Sequence, residues 1–183
     1  MRFALRETTW GWVGALASER GLQRIILPLP SREQVLMDLG VEEDRQDPSL
    51  DSLLGRVERY LLGDAVTLDE VWDEELGTPF QRAVWRATQD IPWGQTRSYQ
   101  QVAQSIGRPR ATRAVGRALA CNPLPILIPC HRVVASNGSL CGFACGRNMK
   151  MRLLVLEGVA ADERSLNKIK EGERTKECCK SMK

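Results

Sequence analysis

The sequence predicts an α+β fold: a small N-terminal antiparallel sheet with helices, then a mostly helical C-terminal domain containing a helix-turn-helix, winged-helix-like in layout. Three observations predict it. Apolar and polar side chains alternate in three short runs over the first thirty positions, the pattern of half-buried strands. From residue 50 onward the apolar positions recur at helical spacing instead. The charge also changes sign along the chain. Residues 1–76 carry 8 basic and 16 acidic side chains, residues 77–160 carry 11 and 2, and residues 161–183 carry 7 and 5, within a net charge of +3. The chain therefore divides into an N-terminal scaffold domain (1–76), a C-terminal domain (77–160) and a charged tail (161–183), expected to be disordered for want of a core pattern.

The strands come first. Phe3 and Leu5, then Trp10, Trp12 and Leu16, then residues 22–27 give a meander, with breaks near Glu7-Thr8 and over 18–21. Pro28 and Pro30 end it, since neither has an amide proton for a ladder. Ser31 is placed to cap a short helix through Leu39, and acidic residues 42–47 make a loop. Leu50, Leu53, Leu54, Val57, Tyr60 and Leu61 form one apolar helical stripe over 50–62. Nothing in this first part carries recognisable chemistry.

In the second part Thr78 supplies a cap and Pro79 the first helical position for a core stripe of Phe80, Val84 and Trp85, running through Thr88. IPWGQT at 91–96 is a turn. Ser98 caps a helix over 99–106, Gly107-Arg108-Pro109 breaks it, and a further helix is expected over 110–120. On that helix Arg110, Arg113 and Arg117 make one basic face, and Val115, Ala118 and Leu119 face the core. Ala111, Ala114, Gly116 and Ala120 keep it slim. Helix, break and helix with this charge suit DNA, and the small residues favour docking in the minor groove. Ser136-Asn137-Gly138 reads as a tight turn and residues 140–146, LCGFACG, as a small-residue loop. Asn148 then caps a last helix over 149–156.

The chemistry concentrates in residues 122–137, NPLPILIPCHRVVASN. An apolar run between Pro125 and Pro129 is stiff and buried, and it delivers Cys130 beside His131, the single histidine of the chain. Neighbouring imidazole and guanidinium groups favour the thiolate, so His131 and Arg132 are expected to activate Cys130. A bare Cys-His pair would be explained better by a buried structural cysteine. The whole string decides otherwise: NP-x-P-I-L-I-P-C-H-R-V-V closely resembles the active-site signature of the O6-alkylguanine-DNA alkyltransferases, and the resemblance runs from about residue 78 to 158.

That resemblance implies DNA repair by direct, stoichiometric transfer of an alkyl (methyl) group from O6-alkylguanine, and from O4-alkylthymine, in DNA to the protein's own cysteine. The protein is inactivated irreversibly and uses no cofactor. The resemblance carries Cys130 over as nucleophile, His131 as a base acting through water, and Glu157 as the group holding the other ring nitrogen. Tyr99 becomes a donor to the leaving guanine and Asn122 the brace of the active-site turn. Arg113 matches the arginine that fills the space of a flipped base. Gln100, Arg108 and Ser136 match backbone-contacting positions, with Arg110 on the same basic surface. Pro125, Val133, Phe143 and Ala144 fall in the substrate pocket. Phe143 stands where many members have tyrosine and Ala144 where serine is common. Cys141 and Cys145 stand where glycine is frequent, and their bulk would narrow the pocket. The partner implied is double-stranded DNA, bound by a monomer from the minor-groove side.

Two rival classes are opposed by particular residues. Non-enzymatic relatives that only flag lesions replace the nucleophile, and Cys130 is present. A thiol hydrolase would need thiol and imidazole to face each other, which adjacent residues rarely do.

Hydrophobic content of 43% over 183 residues suffices for a core. No stretch approaches the roughly 18–20 apolar residues of a membrane span, and the first residues lack a signal-peptide pattern. A cytoplasmic protein, nuclear in a eukaryote, is the expectation. Six cysteines (121, 130, 141, 145, 178, 179) form no C-x-x-C pair, and one histidine cannot complete an ordinary Cys/His zinc site. No metal is assigned, although one held through Cys141 and Cys145 stays open. Cys121 is expected to be buried at the end of its helix, and Cys178 and Cys179 exposed but unactivated.

Overall fold

The alternation of the first thirty residues folds as a three-stranded antiparallel meander in a computed structural model that describes residues 1–42, 46–140 and 146–159. Its strands are β1 (Arg2–Thr8), β2 (Gly11–Ser18) and β3 (Gly21–Leu29). A hydroxyl residue opens each hairpin turn and accepts from the amide two residues on. Trp10 N donates to Thr8 Oγ1 at 3.2 Å, and Arg20 N to Ser18 Oγ at 3.1 Å. Pro28 lies inside β3 rather than ending it. The strand is at the sheet's edge, and the ladder shifts register opposite it between Trp12 and Gly14, so a missing amide proton is tolerated there.

Alternation gives the sheet two apolar faces. One takes α1 (Arg32–Leu39), capped by Ser31, whose hydroxyl accepts from Gln34 N, and closed by Gly40 in the left-handed region. Val35, Leu36 and Leu39 there meet Phe3, Leu5, Leu16 and Ile26. Gly14 permits this approach, because a Cβ at that position would come within 2.5 Å of Val35. The other face takes α2 (Asp51–Leu61), led in by a single 3-10 turn, Pro48–Leu50. Its buried stripe, Leu53, Leu54, Val57, Tyr60 and Leu61, does not stop at residue 76. The same buried cluster runs on through Trp85, Val102, Val115 and Ile128 to Leu153.

The second part is helical: α3 (Pro79–Gln89), α4 (Tyr99–Ser105), α5 (Thr112–Ala120) and α6 (Gly146–Leu156). Reciprocal capping boxes, Thr78 with Gln81 and Ser98 with Gln101, start α3 and α4. Trp85 Nε1 donates to Ala118 O at 2.9 Å and ties α3 to α5. A short parallel pair, β4 (Arg97–Ser98) with β5 (Val133–Val134), joins the start of α4 to the segment after the cysteine. The turn at 135–139 forms as read, with Gly138 N donating to Ala135 O at 2.8 Å.

Two helix boundaries differ from expectation. Ala111 N donates to Arg108 O at 2.8 Å, closing a turn around Pro109, so α5 begins at Thr112 and Arg110 precedes it. The three arginines therefore do not share one helix face. The last helix is helical already at Gly146, which puts Asn148 inside α6 rather than at its cap. Phe143, Ala144, Cys141, Cys145, Cys178, Cys179 and the charged tail lie outside the described residues. No helix among the described residues is long and apolar enough to cross a membrane.

Leu54 is fully buried in the shared cluster. Leu54→Ala should lower the unfolding free energy by about 2–5 kcal/mol. Because the cluster spans residue 76, urea unfolding should still show one transition by both tryptophan fluorescence and circular dichroism.

Candidate active site

Residues 121–134 leave α5 and reach β5 through a chain of turns that Asn122 holds together. Its Nδ2 donates to Ile128 O at 2.8 Å and to Cys130 Sγ at 3.0 Å, while its Oδ1 accepts from Leu124 N at 3.0 Å. Within this clasp Ile128 N reaches back to Leu124 O at 2.8 Å. Ile126 sits at φ 72, left-handed backbone that a β-branched residue adopts only under strain. Pro129, at φ −77 and ψ 63, centres an inverse γ-turn closed by Cys130 N to Ile128 O at 2.7 Å. A 3-10 turn, Cys130–Arg132, follows and runs into β5. Residues 124–134 are buried throughout.

Four elements converge on His131, which is fully buried. Its Nε2 lies 2.9 Å from Glu157 Oε1 and 3.1 Å from the phenol oxygen of Tyr60. Glu157, one residue beyond α6, also accepts from Arg132 Nη2 at 2.8 Å, from Arg132 Nε at 2.9 Å, and from Gly94 N at 3.2 Å. The Tyr60 hydroxyl donates to Glu157 Oε1 as well. Arg132 Nη1 donates to Ile91 O at 2.5 Å. The other imidazole nitrogen, Nδ1, is buried and has no partner among the described residues.

The protonation states follow from these contacts. Burial works against the Glu157 charge, but donors from His131, Arg132 and Tyr60 outweigh it and hold the carboxyl down at about 2. For His131 burial wins over the pull of Glu157, with Arg132 and Lys150 pushing the same way, so its pKa falls below the ordinary imidazole value. Burial first, then the Glu157 charge, raises the Tyr60 phenol far above its usual range, so it keeps its proton and donates. An ionised carboxylate only accepts. The His131 proton therefore sits on Nε2 and the lone pair on Nδ1, the arrangement a base requires.

Arg132 does not activate the thiol as the sequence suggested. Its guanidinium turns into Glu157 and the Ile91 carbonyl. Burial pushes the Cys130 thiol up, against the Asn122 hydrogen bond and the charge of Lys150, so Cys130 rests as a thiol. Lys150 is itself fully buried, with Nζ 2.5 Å from Val133 O and 5.7 Å from the centre of the Tyr99 ring.

The structure brings Cys130, His131, Asn122 and Glu157 together. It places Tyr99 half-buried at the start of α4, near Lys150, and lines up Pro125 and Val133 as buried neighbours of the loop. Gln100, Arg108, Arg110, Arg113, Arg117 and Ser136 are exposed. Cys121 is exposed too, contrary to expectation, because the core side of α5 is completed by Ala118 and Leu119. Sequence reasoning missed Tyr60 and Lys150. Tyr60 is the one phenol in an otherwise aliphatic stripe, which was the available signal.

Comparison with known proteins places this geometry. Residues 79–159 match the family model described as 6-O-methylguanine DNA methyltransferase, DNA binding domain. A methylated-DNA–protein-cysteine methyltransferase of Methanosarcina acetivorans is 37% identical over 158 residues, which cover 86% of this chain and 99% of that protein. The chain belongs to the methylated-DNA–protein-cysteine methyltransferase family. An inducible family member of Bacillus subtilis is 52% identical over 90 residues, 49% of this chain and 50% of its own. The fold agrees with the methyltransferases as well: Mycobacterium tuberculosis OGT in complex with DNA superposes with a TM-score of 0.71 at 32% identity, covering 86% of this chain and 93% of that one.

Acid should destabilise this methyltransferase fold through two groups. An unfolded glutamate titrates near 4.5 and folded Glu157 at about 2, so its contribution is whole above 4.5 and drains as pH falls toward 2. His131, also depressed, adds to the loss below the ordinary imidazole value of 6.5, where the unfolded chain takes up a proton first. Glu157→Gln leaves the Arg132 guanidinium buried without a counter-ion and should lower stability at neutral pH by about 3–5 kcal/mol. Urea unfolding at stepped pH should also show a shallower fall between 4.5 and 2 in the variant.

Proposed function

We propose that the protein repairs DNA by taking the alkyl group of an O6-alkylguanine, or an O4-alkylthymine, onto Cys130, each molecule acting once. The observation that carries the mechanism is the set of three around the loop: a thiol braced by Asn122, an imidazole with its free lone pair on Nδ1, and a carboxylate holding the opposite nitrogen. Neighbouring side chains on a 3-10 turn diverge, so the thiol proton passes to Nδ1 through an intervening water. Sγ then attacks the alkyl carbon, the O6–carbon bond breaks, and guanine regains one proton. Tyr99 donates its phenol proton toward the leaving base, which eases the charge developing on the ring. Thiol and alkylated base become thioether and guanine, so no oxidant, reductant or cofactor is needed. Water does not cleave the thioether at a useful rate, and the molecule is consumed.

A base inside the stack is out of reach of a buried sulfur, so the target must flip. Arg113, exposed in the first turn of α5, fills the vacated space from the minor-groove side. Gln100, Arg108, Arg110 and Ser136 grip the backbone around it, contacts that give affinity with little sequence preference. Pro125 and Val133 wall the pocket. The protein works as a monomer, in the cytoplasm or, in a eukaryote, the nucleus.

A duplex carrying labelled O6-methylguanine should transfer one methyl per protein, found by peptide mass spectrometry on Cys130 alone. Cys130→Ser should bind the duplex and acquire no label. Methyl on Cys121 or a second turnover would sink the mechanism.

Arg113→Ala separates flipping from chemistry. Unstacking a base amounts to a few kcal/mol, so duplex repair should slow by about tenfold or more, while reaction with free O6-benzylguanine changes by less than about twofold. Equal losses on the two substrates would mean that Arg113 has no part in flipping.

A further inference from the structure

Tyr60 belongs to the part of the chain that looked like scaffold, yet its hydroxyl lies in the buried polar network of His131, Arg132 and Glu157. The last turn of α2 carries it there: the stripe Leu53, Val57 and Tyr60 faces inward, and Gly63 at φ 102 ends the run against Leu156 at the end of α6. The edge of Trp93 holds the phenol ring at a centroid distance of 5.1 Å, and the ring stands at 70° to the imidazole of His131. Its oxygen lies 3.1 Å from His131 Nε2, while its proton is directed to Glu157 Oε1, the same atom that receives Nε2–H and Arg132 Nη2–H.

We infer that Tyr60 is a positioning residue for the alkyl transfer, one that sets both the orientation and the basicity of His131. The inference rests on the repair reading above. Two physical effects make up the role. The phenol oxygen gives Nε2–H a second acceptor beside the carboxylate, so the ring is held between two oxygens and its unpartnered Nδ1 keeps one direction. The phenol proton meanwhile takes up part of the negative charge of Glu157, which would otherwise stabilise an imidazolium more strongly. The groups facing the imidazole are Tyr60 from α2, Cys130 and Arg132 from the 3-10 turn, and Lys150 and Glu157 from α6 and its end. Among them Tyr60 is the one whose hydroxyl can be deleted without removing a formal charge or the nucleophile.

Tyr60→Phe keeps the ring against Trp93 and removes only the hydroxyl. Transfer from the methylated duplex and from free O6-benzylguanine would be followed in single turnover across pH, with duplex affinity and unfolding temperature measured alongside. A base must be neutral to act, so the acid limb of the profile reports His131. Without the phenol proton Glu157 favours the imidazolium more, and the limb should move to higher pH by about half a unit. Without the second acceptor the ring is held less well, and the plateau rate should fall roughly three- to tenfold on both substrates. Duplex affinity should not change. Because the chain has one histidine, imidazole nitrogen NMR of the wild-type protein gives an independent check. It should show the proton on Nε2 at neutral pH, and a proton on Nδ1 would overturn the inference. So would an unmoved limb, and a uniform rate loss with a lowered unfolding temperature would reduce Tyr60 to packing. If wild-type protein acquires no methyl on Cys130, the repair reading itself fails. If it does, and Tyr60→Phe matches it at every pH, only the role of Tyr60 fails.

Discussion

A carboxylate buried without partners would take up a proton, and the site depends on preventing that at Glu157. Its surroundings supply donors from Tyr60 on α2, from Gly94 in the turn before β4, and from both His131 and Arg132 in the 3-10 turn. Arg132 supplies the compensating charge and is itself held by the Ile91 carbonyl. Because Glu157 stays ionised, His131 is confined to one tautomer, and because both are buried, that imidazole stays neutral. The pair is thus an arrangement for specifying a proton's position more than for adding stability, since a buried ion pair returns little beyond its own desolvation.

The same burial keeps the Cys130 thiol quiet. A cysteine beside His⁺ and Arg⁺ in open solvent would be a thiolate that reacts with any electrophile. Here the guanidinium is engaged elsewhere, the imidazole is neutral and the sulfur is enclosed, so the thiol waits protonated. Asn122 orients the sulfur without ionising it and also holds the strained backbone at Ile126 in place. A strained residue persists only where its neighbours over-determine it. Two prolines and three hydrogen bonds of one asparagine do so here.

Much of this was legible in the sequence, and the failures share a cause. Local signals read well: the meander, the Ser31, Thr78 and Ser98 caps and the core stripes of α2 and α5 depend on neighbours within a few positions. Asn122, Cys130 and His131 were readable because the family string names them, and Glu157 because the resemblance runs on to residue 158. What failed needed tertiary knowledge. Pro28 continues a strand because β3 is an edge, and Arg110 leaves its helix because the turn around Pro109 closes first. Arg132 lies next to His131 in sequence, but only the fold shows that a carboxylate 25 residues away claims it. Tyr60 is 71 residues from His131, and no spacing rule connects them.

The separation of charge in the molecule follows from the same geometry. The exposed arginines 108, 110, 113 and 117 all lie on the outer side of the α4–α5 unit, whose inner side is Val102, Val115, Ala118 and Leu119. From Ala120, the end of α5, only Cys121 intervenes before Asn122, which donates a hydrogen bond to the Cys130 sulfur. In the proposed repair a helix docked against phosphates would transmit its position to Cys130 through two residues and a clasp, with no flexible linker between them. The basic surface attracts DNA at long range, where burial of the sulfur is irrelevant. In the proposed repair the interior acts only at contact, on a base that has left the stack. Attraction to any sequence and reaction with one lesion can thus coexist in a chain of this size, because one is set by exposed charge and the other by enclosure.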